Sequence, residues 1–171
     1  KAQEAVQEAI NTAQRAGQQS IEPVHILRGV MNKGKDVTNF IFQKLSINAQ
    51  TVDTLLDREI THLPKVQGGQ AYLSNDSNAV LQKSIDYSKE MGDEFVSLEP
   101  ILVALLNVKS TAANILRDAG MAEKDLRAAI NELRQGQKVI NQSADENYQA
   151  LSKYAKNLIE EARAGKLDPV I

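Results

Sequence analysis

The chain has 171 residues, with 20 Lys and Arg against 22 Asp and Glu, and neither Cys nor Trp. A formal net charge of −2 offers no broad basic field for nucleic acid, and a chain without Cys has no disulfides, no thiolate chemistry and no zinc site built on thiolates. No apolar run approaches the ~18–20 residues of a membrane span and no signal-like start is visible, so the expectation is a soluble, intracellular, Ala- and Leu-rich protein of one domain or two small ones.

In chain order, Ala2, Ala5, Val6, Ala9, Ile10, Ala13 and Ala16 form an i, i+3, i+4 stripe that predicts a first helix ending at Gly17. A second helix starts around Pro23, where a missing N–H costs nothing. A third is expected with Asp36 as N-cap, and a fourth carries Val52, Leu55, Leu56 and Ile60. Residues 61–74, with Pro64 and Gly68-Gly69, read as a turn-rich linker.

The same order then returns. Gly17 matches Gly92 at an offset of 75, Val6 and Ile10 match Leu81 and Ile85, Ile21 matches Val96, and Ile26-Leu27 matches Ile101-Leu102. Beyond these the offset slips to 74, pairing Ile41-Phe42 with Ile115-Leu116, Ile47 with Met121, Val52 with Leu126 and Leu56 with Ile130. This predicts an all-α fold made by pseudo-twofold duplication of a four-helix unit, eight helices in all, with units at 1–60 and 75–134. Ser74, Asn75 or Asp76 caps the fifth helix, Pro100 sits in the first turn of the sixth, and Ser110 caps the seventh. The segments 19–21 and 95–97 are too short to predict a sheet. A second linker over about 135–144 leads to an amphipathic helix carrying Leu151, Tyr154, Ala155, Leu158, Ile159 and Ala162. The start at Lys1 and the apolar end at Val170-Ile171 read as cuts within a longer chain that continues into another domain.

Chemistry-bearing motifs are few. Gly29-Val30-Met31-Asn32-Lys33-Gly34-Lys35-Asp36 follows the phosphate-binding pattern G-x-x-x-x-G-K-[ST] until its last position, where Asp36 supplies no hydroxyl for Mg²⁺. It also follows a helix where that loop follows a strand; the alternative is a helix end, a polar turn and a cap. His25 and His62 have no metal-ligand spacing, so His25 reads as a packed, hydrogen-bonded residue and His62 as a partner of a helix C-terminus. The acidic pairs Asp93-Glu94 and Glu160-Glu161 read as solvated surface. The first unit balances seven basic against seven acidic residues; the second has seven against ten, with the excess at Asp86, Glu90, Asp93, Glu94 and Glu99. That acidic edge suits basic or unfolded peptide, or is a hydrated rim.

With these residues in view, the duplicated unit resembles the Clp N-terminal repeat. IEPVHILRGVM and FVSLEPILVALL resemble its second-helix motif, with Val24 where Glu is common and Pro100 where His is common. LPKVQGGQAYLS and the tail YQALSKYAKNLIEEARAGKLDPVI are similar, more specifically, to the ClpB-type AAA+ disaggregases. The resemblance implies a non-catalytic N-terminal domain of an ATP-dependent chaperone that weakly binds unfolded or aggregated polypeptide and passes it to the AAA+ ring. It implies no cofactor in these residues, ATP and Mg²⁺ belonging to ATPase domains outside them. Its implied partners are the rest of the hexamer and, through other parts of the protein, a DnaK-type chaperone system, with no nucleic acid and no membrane. A monomer when isolated and a cytoplasmic location are implied as well. By analogy with the family, the substrate groove falls on Val80 and Leu81 as apolar contacts, with Asp93 and Glu99 as acids on its rim. The competing implication is an adaptor-docking domain of the ClpA or ClpC kind.

Overall fold

Small residues recur on the buried face of the first helix, and they decide how closely its partner approaches. The computed structural model describes residues 2–135 and the backbone of residues 146–147. Helix α1 (Ala2–Arg15) buries Ala2, Ala5, Ala9 and Ala13 with Val6 and Ile10, and it packs along α2 (Pro23–Lys33). A Cβ on Gly29 of α2 would lie 2.1 Å from the Ala5 carbonyl oxygen, so only glycine permits this approach. Helices α3 (Lys35–Lys44) and α4 (Ala49–His62) complete the first half. The second half repeats the order with α5 (Asn75–Glu90), α6 (Leu98–Asn107), α7 (Thr111–Asp118) and α8 (Glu123–Arg134). Eight helices are thus present among the described residues, in the all-α arrangement that the repeat predicts. The expected helix over 151–162 lies outside them.

The apolar matched positions of the two halves are buried in both, while the matched glycines Gly17 and Gly92 are exposed. Where α1 has Ala2, Ala9 and Ala13, α5 has Ser77, Ser84 and Ser88, all fully buried. Each hydroxyl donates to a carbonyl, to Ile21 at 2.6 Å, Val80 at 2.7 Å and Ser84 at 2.8 Å, so three polar atoms enter the core with their hydrogen bonds made. One apolar cluster runs through both halves. Gly34 sits at their seam, where a Cβ would lie 2.1 Å from Leu98 Cδ1.

Helix ends follow the sequence with one correction. Gly17 and Gly92 take φ of 71° and 78° after α1 and α5. Asn48, Ser74 and Ser110 accept backbone N–H bonds as caps. Asp36 does not cap α3. Gly34 both closes α2, donating to the Val30 carbonyl at 2.8 Å, and opens α3, which leaves Asp36 inside the first turn.

The short extended segments do pair. β1 (Ser20–Ile21) runs parallel to β2 (Tyr72–Leu73), and β3 (Phe95–Val96) runs antiparallel to β4 (Glu146–Asn147). β1 and β3 each follow a left-handed glycine, Gly17 and Gly92, and carry backbone groups that no helix satisfies, so a later stretch of chain supplies the partners. The linker is tied down in this way: Val66 donates to the Gly17 carbonyl at 3.0 Å, Tyr72 to Gln19 at 3.1 Å and Ser74 to Ile21 at 3.1 Å.

Candidate functional site

Val80 and Leu81, expected as groove contacts, are 0% and 2% exposed and belong to the core beneath α5. Adjacent helical positions differ by about 100°, yet α5 is covered widely enough to bury both. Asp93 and Glu99, expected on the rim, are turned inward. Arg134, the last residue of α8, donates to both Asp93 carboxylate oxygens at 3.0 and 2.7 Å, to Ser97 Oγ at 2.6 Å and to Glu99 Oε2 at 3.4 Å. Burial works against the Arg134 charge, but Glu99 and Asp93 outweigh it and hold the guanidinium above its ordinary pKa. The structure therefore brings Asp93 and Glu99 together as an internal tie, and sets both pairs away from any open surface. Of the other acids at that edge, Glu90 meets Arg127 at 3.4 Å and Asp86 accepts from Gln82 at 3.4 Å, which leaves the acidic edge weaker than the sequence suggests.

Among the described residues, the open apolar surface lies instead on the linker. Val66 and Tyr72 are 45% and 44% exposed, and both border a cleft of about 240 Å³ with Leu63, Pro64, Gln18 and Glu22. Gly17 and Gly69 line a second cleft beside it, which shares Val66, Gln18 and Gln19. A third, smaller hollow shares Glu22 and Leu63 with the first and is also lined by Glu59, Asp76 and Thr111. The signal for this face in the sequence is a run of large apolar residues, Leu63, Val66, Tyr72 and Leu73, within a stretch rich in turn-forming residues.

A buried chain of hydrogen bonds supports it. His25 is 0% exposed; its Nδ1 accepts from the Glu22 N–H at 2.8 Å and its Nε2 donates to Gln18 Oε1 at 2.7 Å. Gln18 in turn donates to the Ile60 carbonyl. This arrangement needs neutral imidazole, and desolvation lowers the His25 pKa from 6.5 to about 4. His25 is thus packed and hydrogen-bonded, as the sequence suggests. His62 meets the Arg58 carbonyl at 2.7 Å at the end of α4. The glycines of the phosphate-loop-like stretch are accounted for by packing: Gly29 admits α1 and Gly34 admits Leu98. Among the described residues no group of three or more His, Cys, Asp or Glu is placed to hold a metal ion, and no helix is long and apolar enough to cross a membrane. Glu160-Glu161 lie outside the described residues.

Residues 1–119 match the family described as the Clp repeat (R) N-terminal domain. The chain is 67% identical to a chaperone protein ClpB of Bacteroides thetaiotaomicron and 48% identical to one of Porphyromonas gingivalis, in both cases over 100% of this chain and 20% of the relative. It thus spans about a fifth of the length of these relatives. Among solved structures, the Hsp104 N-terminal domain of Candida albicans is similar with a TM-score of 0.74 at 19% identity, covering 84% of this chain and 95% of that one. The N-terminal domain of ClpD from Arabidopsis thaliana gives 0.58 at 20% identity, over 77% and 90%.

Proposed function

The chain belongs to the Clp repeat N-terminal domain family, and from that premise we propose that it is the polypeptide-engaging domain of a ClpB-type disaggregase. In this reading it holds unfolded or aggregated chains weakly and passes them to the ring of ATPase modules, where ATP and Mg²⁺ do their work. The observation that carries the reading is the identity of 67% to a ClpB chaperone across the whole chain. The surface that suits the task is the linker face, where Val66 and Tyr72 stay half exposed although a core was available to take them.

Covering the exposed parts of these two side chains supplies on the order of 2 kcal/mol. A Kd of 1 mM corresponds to about 4 kcal/mol, so one copy holds a chain only loosely. Weak contact suits a handover, since the substrate must leave the domain to enter the ring, and several copies around a hexamer raise the net grip by avidity.

The test is an NMR titration of this chain with a reduced, alkylated protein that cannot fold. Saturable shifts around residues 63–72 are the expected result. No shifts at millimolar polypeptide, with tight binding to one folded partner instead, would establish adaptor docking in its place.

A further inference from the structure

The apolar cleft and the hollow beside it differ in charge, and they share a wall made by Glu22 and Leu63. On one side stand Val66 and Tyr72; on the other, Glu59 and Asp76 join Glu22. None of these three carboxylates makes an ion pair with a described residue. The basic residues nearest in sequence, Arg58 and Lys65, line neither cleft.

Helix capping explains part of this arrangement. Glu22 precedes α2 and accepts from Ser20 Oγ at 2.5 Å, and Asp76 sits in the first turn of α5, where negative charge is favourable. Glu59 has no such reason. It lies in the last turn of α4, where the helix dipole disfavours a carboxylate, yet it lines the same hollow as the other two.

We infer that this face takes an extended polypeptide segment in which an apolar side chain is followed by Lys or Arg. The apolar residue lies against Val66 and Tyr72, and the cation reaches the carboxylates of Glu22, Glu59 and Asp76. The inference rests on the polypeptide-binding reading and adds to it a sequence preference and a location. Neighbouring like charges repel one another and an arriving cation relieves that repulsion, so the charged end supplies selection while the apolar end supplies contact.

The experiment compares two short unstructured peptides by fluorescence anisotropy on the whole chain. One carries Leu-Tyr followed by Lys-Arg, and the other Leu-Tyr followed by Gln-Gln. The basic peptide is expected to bind about fivefold more tightly at low salt, with the advantage fading as salt screens it. Glu59→Gln with Asp76→Asn should abolish the advantage and leave the Gln peptide unchanged, whereas Tyr72→Ser should weaken both peptides alike. Circular dichroism confirms that each variant keeps its helices. Equal affinity for the two peptides, or a preference that survives the double substitution, overturns the inference and leaves polypeptide capture standing. Binding of neither peptide, with no response to an unfolded protein, removes both.

Discussion

Gln18 and Asp93 hold the same position in the two halves, one residue after the glycine that ends the first helix, and both reach across to the end of the fourth helix of their own half. In the first half the link is neutral: Gln18 donates to the Ile60 carbonyl and accepts from His25. In the second it is ionic: Asp93 accepts two bonds from Arg134, the residue that matches Ile60 at the offset of 74. Duplication has thus kept the geometry of the tie while the chemistry diverged. A neutral link has little desolvation to overcome but gains only about 1 kcal/mol per bond. An ionic one carries a large desolvation cost and a large penalty if one partner is lost.

The largest expected effect tests that contrast. Arg134→Met takes two charge-assisted hydrogen bonds from a carboxylate with 0% side-chain exposure, and should destabilise the chain by roughly 3–5 kcal/mol in urea unfolding. Gln18→Met, which removes the neutral link, should cost about 2 kcal/mol. Equal losses in the two variants would show that charge makes no difference to the tie.

Acid should act first on the neutral half. The His25 pKa is lowered from 6.5 to about 4 in the fold, so the unfolded chain takes up a proton that the folded chain refuses. The stabilisation is complete above pH 6.5 and is lost as pH falls through 4, amounting to about 3 kcal/mol. His25→Gln should flatten this part of the stability profile, and the difference between the two profiles isolates the histidine from other titrating groups. Matching slopes between pH 7 and 4 would contradict the neutral relay.

Packing separates the halves next. Gly29 is matched by Ala104, and Ala5 by Val80, so α1 and α2 approach more closely than their counterparts need to. Gly29→Ala sets a methyl 2.1 Å from a backbone oxygen and should cost about 1–3 kcal/mol by urea unfolding, despite the better helix propensity of alanine. A stabilised variant would mean that α1 shifts without penalty.

The helices were legible because burial imposes a 3.6-residue period and because the pattern occurs twice. The left-handed glycines marked where the first helix of each half ends. Asp93 and Glu99 were misplaced because their orientation depends on Arg134, 41 and 35 residues away, and an acid bound for an internal ion pair looks the same in sequence as one bound for solvent. The strand ladders were missed for a similar reason: Ser20–Ile21 is too short to declare itself, and its partner is Tyr72–Leu73 in the linker. Asp36 is of a residue type that commonly caps helices, but Gly34 closes α2 and opens α3 at once, which leaves Asp36 inside the first turn. The linker face was hidden by composition, since Val66 and Tyr72 stand among residues that signal turns.

The smallest expected effect lies on the seam between the halves. Lys44 of α3 and Glu132 of α8 meet at 2.5 Å, but their side chains are 44% and 55% exposed. Solvent and salt screen such a pair, and two long side chains lose freedom in forming it, so a double-mutant cycle should return a coupling below about 0.5 kcal/mol. The halves are joined instead by what lies under that pair, where Gly34 meets Leu98 and a single apolar cluster crosses from one half to the other. Breaking the surface pair should therefore leave unfolding cooperative, with amides in α1 and α5 losing hydrogen-exchange protection at the same urea concentration. If the cycle gave several kcal/mol, or α1 and α5 opened separately once the pair was removed, the seam would be electrostatic and the two halves would be independent folding units.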